Sequence, residues 1–448
     1  MASSLPGPRF PLEELARRID LAGRRVPWVR YCGEVVAVTP SAIVVGGLSR
    51  QAQLGSLVSL SVGNDVALAE VMRLERGFAT VKPLDGQINV ALGSRAYPAG
   101  ELQISPDHRW KGRLIDSLGR PVDGAGFLVQ GDSLRNLHGD PPPAMNRSAM
   151  GGAIRTGVKV IDVFTPLCFG QRIGIFAGSG VGKSTLLSML ARSTGFDSIV
   201  VALVGERGRE VRDFIETALG AMAKNTVTVV STGDESPMMR RLAPLTATTI
   251  AEHFRDHGEQ VLMIMDSVTR YAHACRDVAL AAGEPPVARG YPPSVFSDLP
   301  RLLERAGPGQ EGKGSITALY AVLIDGDDHN DPVADAIRGT LDGHVVLERA
   351  IAETGRYPAV NVLTSISRLA GRVWTAEQRQ VAAELKKLVA RFEDTRDLRA
   401  MGGYVAGADM ELDRAIVAVP RLYDVLTQSL DNPPSIDPYR EIAACLSA

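Results

Sequence analysis

Residues 171–185 read QRIGIFAGSGVGKST. The apolar run from Ile173 to Phe176 enters a glycine-rich turn, Gly178-Ser179-Gly180-Val181-Gly182, and Lys183-Ser184-Thr185 then opens a helical pattern, LLSMLAR. Strand, glycine loop and helix in that order build a phosphate cradle, because the loop lets successive backbone N–H groups turn inward onto phosphate oxygens. The N-terminus of the helix adds a dipole that favours anions. The pattern assigns the β- and γ-phosphates to Lys183 and a Mg²⁺ ion to the Ser184 hydroxyl. Its strict form has Gly at position 177, where this chain has Ala177. The remainder of the loop, from Gly178 to Thr185, is intact.

At 448 residues the chain exceeds what one hydrophobic core usually organises, so two or three domains are expected. A net charge of −2 supplies no basic field for nucleic acid. Cys32, Cys168, Cys275 and Cys445 are scattered with no C-x-x-C pair, which argues against a zinc knuckle or disulfide framework and for a reducing interior. The opening MASSLPGPRFPLEELARR has no apolar core of the signal-peptide kind. No stretch approaches the ~20 apolar residues that span a bilayer, so any membrane contact is expected to be peripheral.

Residues 12–24 (LEELARRIDLAGR) space Leu12, Leu15, Ala16 and Ile19 for a helix, which either packs on its own domain or docks a partner. Over 30–95 the character changes to short β-rich runs, GEVVAVT, SAIVVGG, SLVSLSV, DVALAEV and FATVKPL, which predict a small all-β barrel or sandwich. A linker rich in turn glycines is expected over 96–125. From about 150 to 375 strands alternate with helices: RIGIFA, SIVVALVG, TVTVVST, QVLMIMD, SITALYAVLI and HVVLE predict a mostly parallel, buried sheet. Beyond 376 the strand signal gives way to two amphipathic helical patterns.

Hydrolysis needs more than a cradle: a metal anchor, a group that orients water, and positive charge for the transition state. Asp266 ends the apolar run Val261–Met265 and fits the first, holding Mg²⁺ through water; its other reading is a cap for the next helix. Glu206 follows the strand Ile199–Val204 and fits the second. It also sits among Arg207, Arg209 and Glu210, and by spacing alone a surface ion-pair cluster explains it equally well. Spacing does not single out an arginine, although Arg368 in SISRLA is a candidate. Tyr357 in GRYPAVNV either stacks an adenine or belongs to a core. The loop Gly307–Gly314 (GPGQEGKG) is either a pore element or a surface hairpin.

These stretches coincide with a known pattern. FAGSGVGKST, GERGREVRDFIE, DSVTRYAHA, GYPPSVFSDLPRLLERAG, DGDDHNDPVADAIRGTLDGHVVL and GRYPAVNVLTSISR resemble the catalytic subunits of F- and V-type rotary ATPases, and within them the ATPases of type III protein export, the flagellar one above all. The resemblance runs from roughly residue 25 to 440. The acidic DELSEE motif of the F-type β subunit is absent, and DMELDRAI stands in its place.

The resemblance implies an N-terminal helix (1–25), a β-barrel (26–97), a RecA-like ATPase domain (98–376) and a C-terminal helical domain (377–448). It assigns Glu206 as the catalytic glutamate with Arg207 tuning it, Asp266 as the Walker B aspartate, Arg368 as an arginine finger reaching into a neighbouring subunit, and Tyr357 as the adenine-stacking aromatic. Asn361 stands where many members carry Asp. The implied activity is Mg²⁺-dependent ATP hydrolysis by a cytoplasmic homohexameric ring, peripheral to the inner membrane, that energises export of flagellar proteins. The implied partners are a regulator at the N-terminal helix, a coiled-coil stalk, the export gate and chaperone–substrate complexes. An injectisome ATPase shares every catalytic motif. An ion-coupled rotary subunit, a transcription-terminator-like translocase and a silent nucleotide-binding subunit fit less well; the last would lack Glu206.

Overall fold

The computed structural model describes residues 30–86, 90–324 and 331–447, so the helix expected over 12–24 lies outside the described residues. Two compact units divide the chain, one running to Glu101 and the other formed by Leu102 onward with Leu84–Gly86.

The first unit is a closed barrel of β1 (Gly33–Val38), β2 (Ile43–Gly46), β3 (Leu57–Val62), β4 (Asp65–Glu75), β5 (Phe78–Pro83) and β6 (Arg95–Gly100), in the order β1-β2-β5-β4-β3-β6. Alternation drives it: Val35 and Val45 are buried while Val36 faces water, as a two-residue period requires. Five of these strands are legible as β-rich runs. The sixth falls where a linker is expected from 96, and it closes the barrel by pairing antiparallel with both β1 and β3. Its sequence, RAYPAG, carries a single buried residue and a proline, so local pattern gives no strand signal. Closure removes the exposed edges that two free strands would present.

The second unit is built on a nine-stranded sheet among the described residues. Eight strands run in the order β14-β13-β8-β12-β11-β9-β10-β7: β7 (Leu114–Ile115), β8 (Arg172–Ala177), β9 (Ser198–Glu206), β10 (Thr226–Thr232), β11 (Gln260–Asp266), β12 (Ser315–Leu323), β13 (Gly343–Leu347) and β14 (Ile366–Ser367). The ninth, Gly307–Pro308, pairs antiparallel with β12. All six candidate strands of the sequence are present and pair parallel with one another. β8 is buried at every position, as in a sheet with helices on both faces. Gly307–Gly314 forms a hairpin closed by Gly309 N–H on Gly314 O at 2.9 Å.

The helices that matter here are α1 (Lys183–Ala191), α2 (Pro237–Asp256), α3 (Val268–Ala281), α4 (Ala376–Asp394) and α5 (Met410–Leu426). α4 starts at a capping box between Thr375 and Gln378. It buries Ala382, Leu385 and Val389, and α5 buries Leu412, Ala415, Val419, Leu422 and Leu426. Both stripes join one apolar core with Ile173, Ile175, Leu186 and Val345 from around the phosphate loop. The C-terminal helices thus share a core with the sheet within the second compact unit. No helix among the described residues is long and apolar enough to cross a membrane.

Candidate active site

In a doubly wound sheet ligands bind outside the carboxyl ends of the strands. β8, β9 and β11 all end on that edge, the register setting Leu203 opposite Asp266 and Met265 opposite Tyr320. The loop after β8 leads into α1. Ala177 is the last residue of β8, fully buried, with its carbonyl accepting from Ile324 N at 3.0 Å. It is strand, so this position requires no glycine, which accounts for the departure from the strict pattern. Gly180 (φ 79°) and Gly182 (φ 91°) do adopt left-handed backbone, where a side chain is strained. Val181 is buried and pins the loop to the core, while Ser179, Gly180, Ser184 and Thr185 face solvent.

Lys183, at the head of α1, lies between two carboxylates. Its Nζ hydrogen-bonds Asp266 Oδ1 and stands 3.9 Å from Glu206 Oε1. All three side chains are largely shielded from solvent, and Glu206 Oε1 is buried without a hydrogen-bond partner among the described residues. Burial first, then the Asp266 charge, and a hydrogen bond with Glu210 push the Glu206 carboxyl up to about 7, against the pull of Lys183 and Arg270. A carboxylate near 7 accepts a proton efficiently at neutral pH. Ser184, Thr185, Glu206, Glu210, Asp266 and Leu430 line a cleft of about 300 Å³ here. A larger cavity of about 850 Å³ lies between the 348–363 segment and α4 and α5, lined by none of these residues. The Ser184 hydroxyl and the Asp266 carboxylate are oxygen donors suited to a hard divalent cation.

Tyr357 also joins the loop: a Cβ on Gly182 would lie 3.2 Å from its ring. Half-exposed, the ring presents a face beside the phosphate cradle. Arg207 is not brought in. It is exposed and stands 3.7 Å from Glu210. Arg368 is remote: its N–H bonds Asp342 O at 2.9 Å, and Asp342 N–H bonds Arg172 O at 2.9 Å, so it sits at the amino end of β8 and β13, opposite the loop. Its guanidinium is exposed, 3.5 Å from Arg338 O.

Three residues join the site without having been singled out as site residues in the sequence. Arg270, in the first turn of α3, packs its stem against the Gly205 turn, where a Cβ would meet Arg270 Cδ at 2.8 Å. Glu210 lies in the first turn of the helix Gly208–Asp213, four residues after Glu206, which ends β9. Arg349 Nη2 donates to Ser179 O at 3.3 Å. The first two were legible as positions four residues after Asp266 and Glu206, whereas Arg349 is a tertiary contact with no sequence signal. Asn361, the departure from the family pattern, donates through Nδ2 to Glu348 Oε2 at 2.5 Å. An Asp there would set two carboxylates against each other.

Residues 157–367 match the ATP synthase alpha/beta family, nucleotide-binding domain, and residues 374–441 match the T3SS EscN ATPase C-terminal domain. The flagellum-specific ATP synthase of Rhizobium meliloti (strain 1021) is 55% identical over 416 residues, 93% of this chain and 89% of that protein. The chain belongs to the ATP synthase alpha/beta family, in its type III export branch. Among solved structures, the assembled ATPase EscN of the enteropathogenic E. coli type III secretion system is 40% identical, with a TM-score of 0.86 over 93% of this chain and 99% of that one. The same ATPase in complex with its central stalk EscO matches with a TM-score of 0.83, 39% identity and the same coverage. As a member of this export ATPase family, the chain is an ATP-hydrolysing enzyme.

Proposed function

We propose that this export ATPase hydrolyses ATP to energise type III export of flagellar proteins, working as a homohexameric ring with sites between protomers. The observation that carries the chemistry is Lys183 held between Asp266 and Glu206 at the head of the loop helix. In this reading the 178–182 N–H groups and Lys183 hold the triphosphate and Thr185 borders it. Tyr357 stacks the adenine. Glu206 orients the attacking water and takes its proton. Ser184 and Asp266 would hold Mg²⁺, which when bound offsets charge on the β- and γ-phosphates. Arg368 comes from the adjacent protomer, a heterologous contact that closes by rotation, and Arg207 tunes Glu206 from its surface position.

The flagellar assignment rests on 55% identity to a flagellar relative against 40% to EscN. The resemblance to EscN, solved both assembled and with a stalk, supports the ring and a coiled-coil stalk partner. A cytoplasmic protein docked peripherally at the inner membrane fits a chain without spanning helices among the described residues. Segment 1–25 would meet a regulator, and the C-terminal helices the export gate and chaperone–substrate complexes. Deleting the gene should abolish swimming and secretion of flagellar proteins, and plasmid-borne wild type, but not Glu206→Gln, should restore both. Normal flagella in the deletion strain would refute the assignment. Loss of virulence-type secretion with flagella intact would establish the injectisome reading instead.

A further inference from the structure

Far from the nucleotide cleft, three imidazoles converge. His253 lies in the last turn of α2, and His257, the residue that caps it, follows one turn later. His108 opens the short helical turn His108–Trp110, which is anchored by the buried Trp110 ring donating from Nε1 to Val129 O at 2.7 Å. The ring centroids are 4.3 Å apart for His253 and His257, 5.1 Å for His108 and His257, and 5.6 Å for His108 and His253. One ring nitrogen from each lies within 4.8 Å of the other two.

The hydrogen bonds around the cluster sort the nitrogens. His108 Nδ1 is 2.9 Å from Glu259 Oε1, and His257 Nδ1 is 2.7 Å from His253 O. Each partner is an acceptor, so each Nδ1 carries the proton and each Nε2 keeps a lone pair. Ligating histidines have this arrangement, in which a carboxylate or carbonyl holds the far nitrogen and aims the near one. Glu259 is itself fixed by Ser198 and by Lys111 Nζ at 3.0 Å. His253 is only 5% exposed, and neither of its ring nitrogens has a hydrogen-bond partner among the described residues. A buried polar ring without partners is costly unless something binds it. The nearby cations are already committed, Lys111 to Glu259 and Arg135 to Asp256 at 2.8 Å.

We propose that His108, His253 and His257 form a binding site for a divalent transition-metal ion of the Zn²⁺ class. Three imidazole nitrogens suit Zn²⁺, and Co²⁺, Ni²⁺ and Cu²⁺ share the preference. Tetrahedral bonds of about 2.0–2.1 Å place ligand nitrogens about 3.3 Å apart, so the rings close up slightly on binding. His108 and His257 are exposed, so water would be at hand to complete the shell. Seven residue steps along β11 lead from Glu259 to Asp266, roughly 23 Å at strand rise, so the site is structural and independent of hydrolysis. The ion would staple the 108–110 turn to the end of α2, just before β11.

The test uses the full chain, stripped of metal and nucleotide, titrated with Zn²⁺ by calorimetry and with Co²⁺ by absorption. We expect one Zn²⁺ per chain with submicromolar affinity and a Co²⁺ spectrum of nitrogen and oxygen ligation without thiolate charge transfer. His108→Ala and His257→Ala, both at exposed positions, should each weaken binding at least about tenfold, and Glu259→Gln about 10–100-fold. The metal-free variants of His108 and His257 should melt as the metal-free wild type does, which separates lost ligation from lost folding. Absence of submicromolar binding, binding unchanged in the His108→Ala/His257→Ala double variant, or a thiolate band from Cys32 or Cys445 would each overturn the proposal.

Discussion

Arg368 gives the sharpest test of a shared active site, because the fold fixes how far it stands from its own phosphate loop. Its backbone is tied through Asp342 to Arg172, the first residue of β8. The loop begins after Ala177, five residues on, which at strand rise is roughly 16 Å away. An extended arginine side chain spans roughly 7 Å. Within one chain the guanidinium therefore falls short by about 9 Å, and any transition-state charge it offsets belongs to another copy. An arginine supplied in trans is worth about 10³–10⁵ in turnover, or about 4–7 kcal/mol. Arg368→Ala should lower kcat by that factor and leave nucleotide affinity of the isolated chain unchanged. Mixing decides the geometry. Arg368→Ala supplies an intact Glu206, and Glu206→Gln supplies an intact Arg368. Random assembly at equal amounts pairs them productively at about a quarter of interfaces. Phosphate release should thus rise when two nearly inactive proteins are combined. Near-normal turnover of Arg368→Ala alone, or a mixture no more active than its parts, would refute the reasoning.

Glu206 titrates near 7, so its base form is present above that value and lost as pH falls through it; kcat/KM should drop about tenfold per unit on the acid side, and a flat profile from pH 8 to 6 would remove it from the chemistry. Glu206→Gln should lower turnover about 10²–10⁴-fold with ATP binding intact, measured by nucleotide fluorescence beside phosphate release. Asn361→Asp brings a carboxylate against Glu348 and should cost about 1–3 kcal/mol in urea unfolding at neutral pH, and an unchanged midpoint would show that the Asn361–Glu348 contact does not hold. Gly182→Ala meets both left-handed backbone and the Tyr357 ring at 3.2 Å; it should cost about 1–2 kcal/mol and weaken ATP binding, and a variant binding as wild type would show that the loop is not held in this form.

What the sequence made legible follows from where local pattern and tertiary structure agree. β8, β9 and β11 are apolar runs, the first followed by Gly178 and the other two closed by an acid, so the strands and the strand-end places of Glu206 and Asp266 could be read from local pattern, whereas spacing left Glu206 equally explained by a surface ion-pair cluster. Strand β6 could not, since its RAYPAG pattern gains its place only by closing a barrel whose other five strands already exist. The shared core of α4 and α5 with the sheet was hidden for a related reason: an amphipathic stripe announces that a helix packs, without naming the surface it packs on. The imidazole cluster shows the limit most clearly. His253 and His257 are one helical turn apart in the sequence, but His108 reaches them only through the fold.

The arrangement of Lys183 explains why one loop can both bind and react. A single ammonium cannot fully compensate two carboxylates, and it is committed to Asp266, leaving Glu206 buried at 3.9 Å with an unpartnered oxygen. That unequal sharing keeps Asp266 compensated, and burial together with the Asp266 charge holds the Glu206 carboxyl up at about 7. In the proposed mechanism, incoming phosphates would compete for the same ammonium. Once they took it, Glu206 would lose cationic support and become a stronger base just when a γ-phosphate is beside it. Arg270, packed under the Gly205 turn, remains as the fixed positive charge that stops Glu206 from staying protonated. Replacing Arg270 with Met, which keeps much of the stem, should therefore raise the acid limb of kcat/KM above 7 while leaving the fold intact. An unshifted limb would mean that Arg270 does not act on Glu206.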